Sequence, residues 1–210
     1  MPNNYNSVAF IYDALSRLVF GKATLRSQIW LLDKIPPQAR ILIIGGGTGW
    51  ILEELAAVQS TGLHITYIES AIKMLNKSKA RDIKNNKVVF IHQDARTYVP
   101  DTSYDIIITP FLLDNFSTDG VKNLIAHYYP YMDANGLWLV SDFQITAAGK
   151  LWQKPILRIM YTFFRWVSHV EVKDLPEIDN SFKSLNFYKQ NSKNFYGGFI
   201  QSAIYQKQAE

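Results

Sequence analysis

Short apolar runs alternate with helical spacings along most of the chain. Five runs rich in branched apolar residues predict strands, at residues 40–44, 64–68, 88–91, 105–109 and 137–140. Apolar residues at helical spacing predict helices at residues 8–20, 23–32, 50–59, 70–79 and 119–129, with Ser70 as a helix cap. Two later strand-like runs, residues 181–188 and 198–206, lie close together in the sequence and predict an antiparallel pair.

The alternation of strand and helix is typical of the α/β class. It predicts a seven-stranded, mostly parallel, doubly wound sheet with helices on both faces and an antiparallel C-terminal strand pair. No internal repeat or low-complexity linker interrupts the pattern. We therefore expect one domain over residues 1–210, with an N-terminal helical lid at residues 1–35 and the sheet core at residues 36–206.

Composition and charge exclude several classes of protein. The chain is 48% hydrophobic and 14% aromatic, so it can build a sizeable core. Its net charge of +4 is too small to indicate a nucleic-acid partner, and we predict none. The absence of cysteine excludes thiolate nucleophiles, disulfides and cysteine-based metal sites, and we predict no metal. The first seven residues lack the features of a secretory signal, so we expect a cytoplasmic protein.

A glycine cluster follows the first apolar strand, at Gly45, Gly46, Gly47 and Gly49. Glycines at such a place let the backbone turn tightly and let a ligand approach closely. The dinucleotide pattern G-x-G-x-x-G is not met, because Trp50 stands where the third glycine is required. The Gly-Lys-Ser/Thr ending of a phosphate-binding loop is also absent. The spacing that is present is G-x-G-x-G.

Five segments together resemble a known family, at residues 41–49, 65–75, 89–96, 104–114 and 132–142. Over roughly residues 41–206 the sequence is similar to class I S-adenosylmethionine-dependent methyltransferases. The segment around Tyr12 is similar to the first helix of quinone and other small-molecule methyltransferases. The resemblance implies a Rossmann-like sheet, an active methyltransferase and S-adenosyl-L-methionine as cofactor. It implies cofactor binding by Tyr12, Gly45, Gly46, Gly47, Gly49, Glu69, Ser70, Asp94, Ala95 and Thr109.

The resemblance also implies a role for individual residues. The glycine loop wraps the methionine part of the cofactor in this family, and Glu69 stands where members hold the ribose hydroxyls. A carboxylate has two acceptor oxygens, which suit a pair of neighbouring hydroxyls. The resemblance places Asp94 against the adenine amino group and Ala95 beside the ring. Thr109 ends the fourth strand, which borders both cofactor and acceptor.

One position departs from the family pattern and keeps other functions open. Members commonly carry an acid two residues before the first glycine, and here that position is Ile43. Its absence allows a protein that binds the cofactor and has lost catalysis. A nicotinamide-dependent oxidoreductase is the other alternative, since Glu69 suits either kind of ribose, although Trp50 disfavours it.

The acceptor is the least defined part of the prediction. Methyl transfer from a sulfonium depends mainly on alignment, so no residue identifies itself as catalytic. Asp114 and Asn115 follow the fourth strand and are placed to reach an acceptor, whereas His92, His127 and His169 are more typical of structural or exposed positions. The strand-four segment has one proline where base methyltransferases usually have two. We predict a small acceptor, lipophilic or aromatic.

The segment 150–170 is rich in aromatic and basic residues. On a helical wheel Lys150, Lys154, Arg158 and Arg165 share a narrow arc, and Trp152, Ile156, Ile159, Met160, Phe163, Phe164, Trp166 and Val167 occupy the broad opposite side. One interpretation is a helix that covers the sheet or the pocket. The other is a basic amphipathic helix that makes a peripheral contact with a membrane or with a lipophilic acceptor.

Overall fold

The computed structural model describes residues 19–168 and 174–208, and for residues 163–168 it describes the backbone only. The predicted helix at residues 8–20 therefore lies outside the described residues except for its last two positions. Tyr12 lies wholly outside them. The helices are α1 Ala23–Leu32, α2 Trp50–Val58, α3 Ile72–Ser78, α4 Thr118–Tyr128, α5 Lys150–Ser168 and α6 Ile178–Lys183. The strands are β1 Arg40–Ile44, β2 Thr61–Glu69, β3 Asn85–His92, β4 Tyr104–Pro110, β5 Met132–Phe143, β6 Phe187–Phe195 and β7 Ile200–Lys207.

The seven strands form a single sheet in the order β3-β2-β1-β4-β5-β7-β6. β1 pairs in parallel with β2 and β4, and the parallel pairing extends to β3 and β5 at either side. β7 is antiparallel to both β5 and β6. The predicted seven-stranded, mostly parallel sheet with an antiparallel C-terminal pair is confirmed.

Two apolar layers cover the sheet, and β1 contributes to both. Ile41 and Ile43 point into the layer that contains α1 and α2 side chains, whereas Leu42 and Ile44 point into the layer that contains α4 side chains. All four side chains are fully buried. Because both faces of the strand are covered, the run is continuously apolar and does not alternate.

The predicted strand at residues 181–188 is wrong in its first half. Residues 181–183 belong to α6, and β6 begins only at Phe187. Phe182 explains the difference, because its fully buried ring packs against Trp138 and stacks on Tyr205 from above the sheet. One anchoring aromatic side chain in a short run does not distinguish a helix turn from a strand.

Ser70 is also not the helix cap that the sequence predicts. The residue that precedes α3 is Ala71, and its backbone N–H donates to Oε1 of Glu69 at 2.8 Å. The carboxylate that ends β2 thus takes the part expected of the serine hydroxyl. Within residues 19–168 and 174–208, no helix combines the length and apolar character needed to cross a bilayer.

Candidate functional site

Strand order reverses between β1 and β4, which makes their carboxyl ends the expected ligand crevice of this sheet. The glycine loop leaves β1 at this edge, and a short turn, Leu113–Asn115, follows β4. The two loops touch, since a Cβ built on Gly45 would lie 2.6 Å from Cδ1 of Leu112. The loops after β1 and β4 therefore form one continuous wall.

The glycines of the loop differ in how closely other residues pack against them. Gly49 precedes α2 with φ +84°, and a Cβ there would lie 2.6 Å from Cβ of Ser78. Gly47 also has a positive φ of +63°, but a Cβ there would meet nothing closer than Sδ of Met74 at 4.0 Å. Gly47 is thus the least crowded glycine of the loop, and it is partly exposed.

Glu69 lies next to Gly47. Its side chain is only 5% exposed. Its Oε2 accepts the N–H of Gly47 at 3.0 Å, and its Oε1 accepts the N–H of Ala71 at 2.8 Å. Burial raises the pKa of the carboxyl, and these N–H donors partly oppose that shift. The end of β2 is therefore tied to the glycine loop by one buried carboxyl group.

This contact bears on the acid that is missing before the loop. Ile43 is fully buried in the apolar layer and has no polar role. The loop N–H at Gly47 is instead satisfied by Glu69, and the Gly47 carbonyl accepts the hydroxyl of Tyr67 at 3.0 Å. Two side chains from β2 thus hold the loop that a β1 acid helps to organise in the family.

Sequence reasoning missed Tyr67 and a second loop contact, Arg81. The Arg81 Nε donates to the carbonyl of Thr48 at 2.8 Å, and its guanidinium lies 4.0 Å above the Trp50 ring. The available signal for Tyr67 was its position two residues before Glu69, which puts both side chains on one face of β2. Arg81 lies beyond α3, and no spacing rule connects it to the loop.

The remaining predicted cofactor residues after β2 and β3 lie along the same edge. Ser70 is exposed, and its carbonyl contacts Nε2 of His92 at 2.9 Å. Asp94 caps its own turn and pairs with Arg96, and hydrogen bonding from that guanidinium lowers the pKa of Asp94. The carbonyl of Ala95 accepts the hydroxyl of Tyr128 at 2.6 Å. Their contacts with a cofactor stay predictions.

Thr109 differs from the other predicted site residues. It is fully buried, and its hydroxyl accepts the indole N–H of Trp138 at 3.1 Å. This partner gives Thr109 a packing role between β4 and β5. A cofactor contact for Thr109 stays an untested prediction.

The turn after β4 is held by Asp142, at the carboxyl end of β5. Its Oδ2 accepts the N–H groups of Leu113 at 2.8 Å and Asp114 at 3.3 Å, and its Oδ1 accepts the N–H of Phe143 at 2.8 Å. Burial raises the pKa of Asp142 to about 7. Sequence reasoning did not single out this acid, since it ends an otherwise ordinary strand.

Asp114 forms a second buried carboxyl beside Asp142. Its side chain is 6% exposed, and its Oδ1 accepts Nδ2 of Asn115 at 2.9 Å. Burial and the negative charge of Asp142 raise the pKa of Asp114 well above its ordinary value. Two close carboxylates resist ionising together, so the two groups titrate as a pair.

Aromatic side chains lie next to this pair. Phe111 follows β4 with φ +53°, and its ring lies 5.1 Å from that of Phe143. Phe143 in turn contacts Phe20 and Phe199, at centroid distances of 5.1 and 5.3 Å. The β4–β5 side of the crevice therefore combines an aromatic cluster with the two buried carboxyl groups of Asp114 and Asp142.

The sheet order, the glycine loop at the switch point and the acid at the end of β2 define a class I methyltransferase fold. Residues 41–136 match the family described as a methyltransferase domain. The chain therefore has the class I methyltransferase fold, and the matching segment is a methyltransferase domain. A search of curated protein sequences finds no match.

Solved structures share the fold at low sequence identity. The mitomycin 7-O-methyltransferase MmcR is 14% identical with a TM-score of 0.68. The match covers 94% of this chain and 57% of the MmcR chain. Magnesium protoporphyrin IX methyltransferase from Synechocystis PCC 6803 is 17% identical with a TM-score of 0.65. That match covers 89% of this chain and 83% of the chain of the solved structure. A chain from the complex of the Haloferax volcanii Trm112 activator with a methyltransferase is 8% identical with a TM-score of 0.72, covering all of both chains. This chain thus spans little more than half of MmcR.

Proposed function

We propose that this chain binds S-adenosyl-L-methionine at the glycine loop and transfers its methyl group to a small, lipophilic or aromatic acceptor. The observation that carries the proposal is the buried carboxyl of Glu69 joined to Gly47, the least crowded glycine of the loop. The cofactor residues that we propose are Tyr12, Gly45, Gly46, Gly47, Gly49, Glu69, Ser70, Asp94 and Ala95.

The polar groups at the loop suit the ribose of this cofactor. Each oxygen of Glu69 accepts one backbone N–H and has a further lone pair, so each can accept a ribose hydroxyl as well. When bound, the cofactor supplies a methyl group already activated on sulfur. The chain has to hold the cofactor, orient the acceptor and exclude water.

The aromatic cluster of the crevice supports the acceptor class. Phe111, which is only partly buried and is supported by the core residue Phe143, lies beside the turn after β4, where an acceptor approaches the cofactor from the β4 side. Flat or lipophilic molecules bury well against such rings. The structurally similar mitomycin 7-O-methyltransferase, by its description, transfers a methyl group to a small molecule. We propose no nucleic-acid partner and a cytoplasmic location.

We further propose that the chain acts as a single domain, in which residues 1–35 cover the site and residues 36–206 form the core. Tyr12 belongs to the covering segment. A nicotinamide-dependent oxidoreductase has less support, because Trp50 opens α2 where the dinucleotide pattern needs glycine. A chain that binds the cofactor without turnover is the remaining alternative.

Thermal unfolding with S-adenosyl-L-methionine, with its demethylated product and with NAD tests the cofactor. A ligand at about 100 times its Kd stabilises the native state by roughly 2.7 kcal/mol. For a chain of this length we expect Tm to rise by roughly 5–11 °C with the sulfonium and with its product, and not with NAD.

The three outcomes separate the candidate functions. A shift with NAD alone would contradict the proposed cofactor. A shift with the sulfonium, but no methyl transfer to a panel of phenols, quinols and amines, would favour a binding protein without catalysis. Transfer to any of these acceptors, followed by mass spectrometry, would identify the methylated atom.

A further inference from the structure

α5 buries Leu157, Tyr161 and the polar Gln153 against the protein and leaves two aliphatic side chains in solvent. Gln153 is fully buried, where its Nε2 donates to the carbonyl of Gly197 at 3.0 Å and its Oε1 accepts the N–H of Thr146 at 2.8 Å. Leu151 and Ile159, in contrast, are 92% and 70% exposed. The wheel places Ile156, Ile159 and Met160 on the apolar side; in the structure Ile156 and Met160 pack against the core, and Ile159 is left in solvent. Packing within the described fold does not explain these exposed side chains.

The outward face of α5 continues into the turn between β6 and β7. Trp152 is 38% exposed, and its ring lies 5.8 Å from that of Tyr196, which is 37% exposed. Tyr196 borders a shallow cleft that also includes Lys22 and Arg26, at the start of α1. We call the surface formed by these elements the basic face; it comprises Lys22, Arg26, Leu151, Trp152, Lys154, Pro155, Arg158, Ile159 and Tyr196.

Charge is strongly segregated toward this face. Residues 19–32 and 144–168 contain six of the 22 lysines and arginines of the chain and none of its 18 acidic residues. Lys154 and Arg158 are exposed on either side of Pro155, and neither forms an ion pair with any residue that the structure describes. The small net charge of +4 therefore conceals a local excess of positive residues in these two segments.

We propose that the basic face docks on an anionic lipid bilayer. Leu151, Trp152 and Ile159 enter the headgroup region, and the flanking Lys154 and Arg158 contact lipid phosphates. Exposed apolar residues bordered by basic ones, with aromatic rings at the boundary, are what an anionic membrane surface favours. Another protein surface rich in acid would satisfy the charges but would not favour single, widely spaced aliphatic side chains.

The basic face lies near the crevice where we propose that the acceptor binds. The β6–β7 turn and the carboxyl end of β5 lie together, since Phe143 pairs with Ile200. The face is therefore at the same edge of the sheet as the crevice after β4. If the proposed acceptor is lipophilic, docking would place the crevice beside the phase in which the acceptor dissolves. Docking itself does not depend on methyl transfer.

Co-sedimentation with vesicles tests the proposal, using phosphatidylcholine alone and phosphatidylcholine with phosphatidylglycerol at low and high salt. We expect the full chain to sediment with the anionic vesicles at low salt only. Lys154→Glu/Arg158→Glu should weaken binding by about 30-fold or more, the effect of two basic residues near an anionic surface. Leu151→Ser/Ile159→Ser should also weaken it, and both pairs are exposed enough to leave Tm unchanged.

Matched variants at the distant β3 edge serve as controls. Val89 is 61% exposed, so Val89→Ser removes a comparable apolar side chain, and Lys79→Glu/Lys87→Glu makes the same change in net charge at exposed positions. Both controls should bind like the unaltered chain. Equal loss in the control and test charge variants, or no binding at low salt, would overturn the proposal. Self-association that Leu151→Ser/Ile159→Ser abolishes would assign the face to a second copy of the chain.

Discussion

Replacing Asp142 with alanine is expected to lower the free energy of unfolding by roughly 3–5 kcal/mol, because three buried N–H groups lose their acceptor. Those donors belong to Leu113, Asp114 and Phe143, and they shape the turn after β4 and the end of β5. The loss is a large part of the ordinary stability of a domain. Urea unfolding followed by circular dichroism measures it.

Two variants separate the hydrogen bonds of Asp142 from its mere burial. Asp142→Asn keeps one carbonyl oxygen at the same place, so it should lose less than half as much stability as alanine does. Ser141→Ala is the neighbouring control, since Ser141 is fully buried and its hydroxyl bonds to that of Ser202 at 2.8 Å. It should cost about 1 kcal/mol. Equal losses for Ser141→Ala and Asp142→Ala would contradict the role assigned to Asp142.

The same carboxyl predicts a pH dependence of stability. Burial raises the pKa of Asp142 to about 7 in the folded chain, against an ordinary value near 4. Between these values the folded state binds more protons than the unfolded state does, so stability falls as pH rises from about 4 to about 7. The slope from one group is at most about 1.4 kcal/mol per pH unit.

Asp142→Asn should remove the part of this fall that Asp142 contributes, since an amide does not titrate; the buried Asp114, whose pKa is also raised, keeps its own part. A carboxyl that was hydrogen-bonded only as an anion, with a pKa below its ordinary value, would give the opposite slope. The raised pKa would therefore be refuted if the stability of the unaltered chain rose over this interval and the rise were absent from the Asp142→Asn variant. Urea titrations at several pH values, from about 4 to about 8, decide between the two signs.

The sheet was predictable because its strands are distinct in the sequence. β1 is a five-residue apolar run followed at once by glycines, and such a pattern has few structures other than a buried parallel strand before a tight turn. The C-terminal region was harder. The segment that contains α6 is short and has a single buried aromatic anchor, Phe182, so its helical turn was indistinguishable from a strand.

Some residues of the candidate site could likewise be predicted from the sequence, and others could not. The glycines and Glu69 follow directly from strand ends, which topology brings to one edge. Tyr67, Arg81 and Asp142 act on the loops through contacts between side chains and backbone groups far apart in the sequence. Such contacts depend on the three-dimensional path of the chain, and no local spacing encodes them. The helical wheel of α5 separated the exposed Lys154 and Arg158 from the apolar residues, but it did not show that Ile156 and Met160 pack against the core while Ile159 is exposed.

Replacing Glu69 with alanine is expected to weaken the binding of S-adenosylmethionine and of its demethylated product by roughly 10- to 150-fold. This range corresponds to about 1.5–3 kcal/mol, the effect of hydrogen bonds to a charged acceptor. The alanine variant removes the acceptor that we assign to the ribose hydroxyls, and it also frees the N–H of Gly47. Isothermal titration calorimetry gives Kd for each variant, and circular dichroism checks that it is folded.

Tyr67→Phe is the control for the loop itself. Tyr67 donates to the Gly47 carbonyl from the same strand, but it has no carboxylate to offer a ribose. Its loss should change Kd by less than about tenfold, because a neutral hydrogen bond contributes roughly 1 kcal/mol. If Tyr67→Phe weakened binding as much as Glu69→Ala did, organisation of the loop alone would account for the role of Glu69.

A ligand that lacks one ribose hydroxyl distinguishes contact with the cofactor from organisation of the loop. We expect the unaltered chain to bind the 2′-deoxy form of the demethylated product more weakly than the full ribose form. In Glu69→Ala the two ligands should bind alike, because the group that discriminates between them has gone. Non-additivity of this kind is what a direct contact produces. An equal preference in both chains would place the ribose hydroxyls elsewhere and leave Glu69 as a support of the glycine loop.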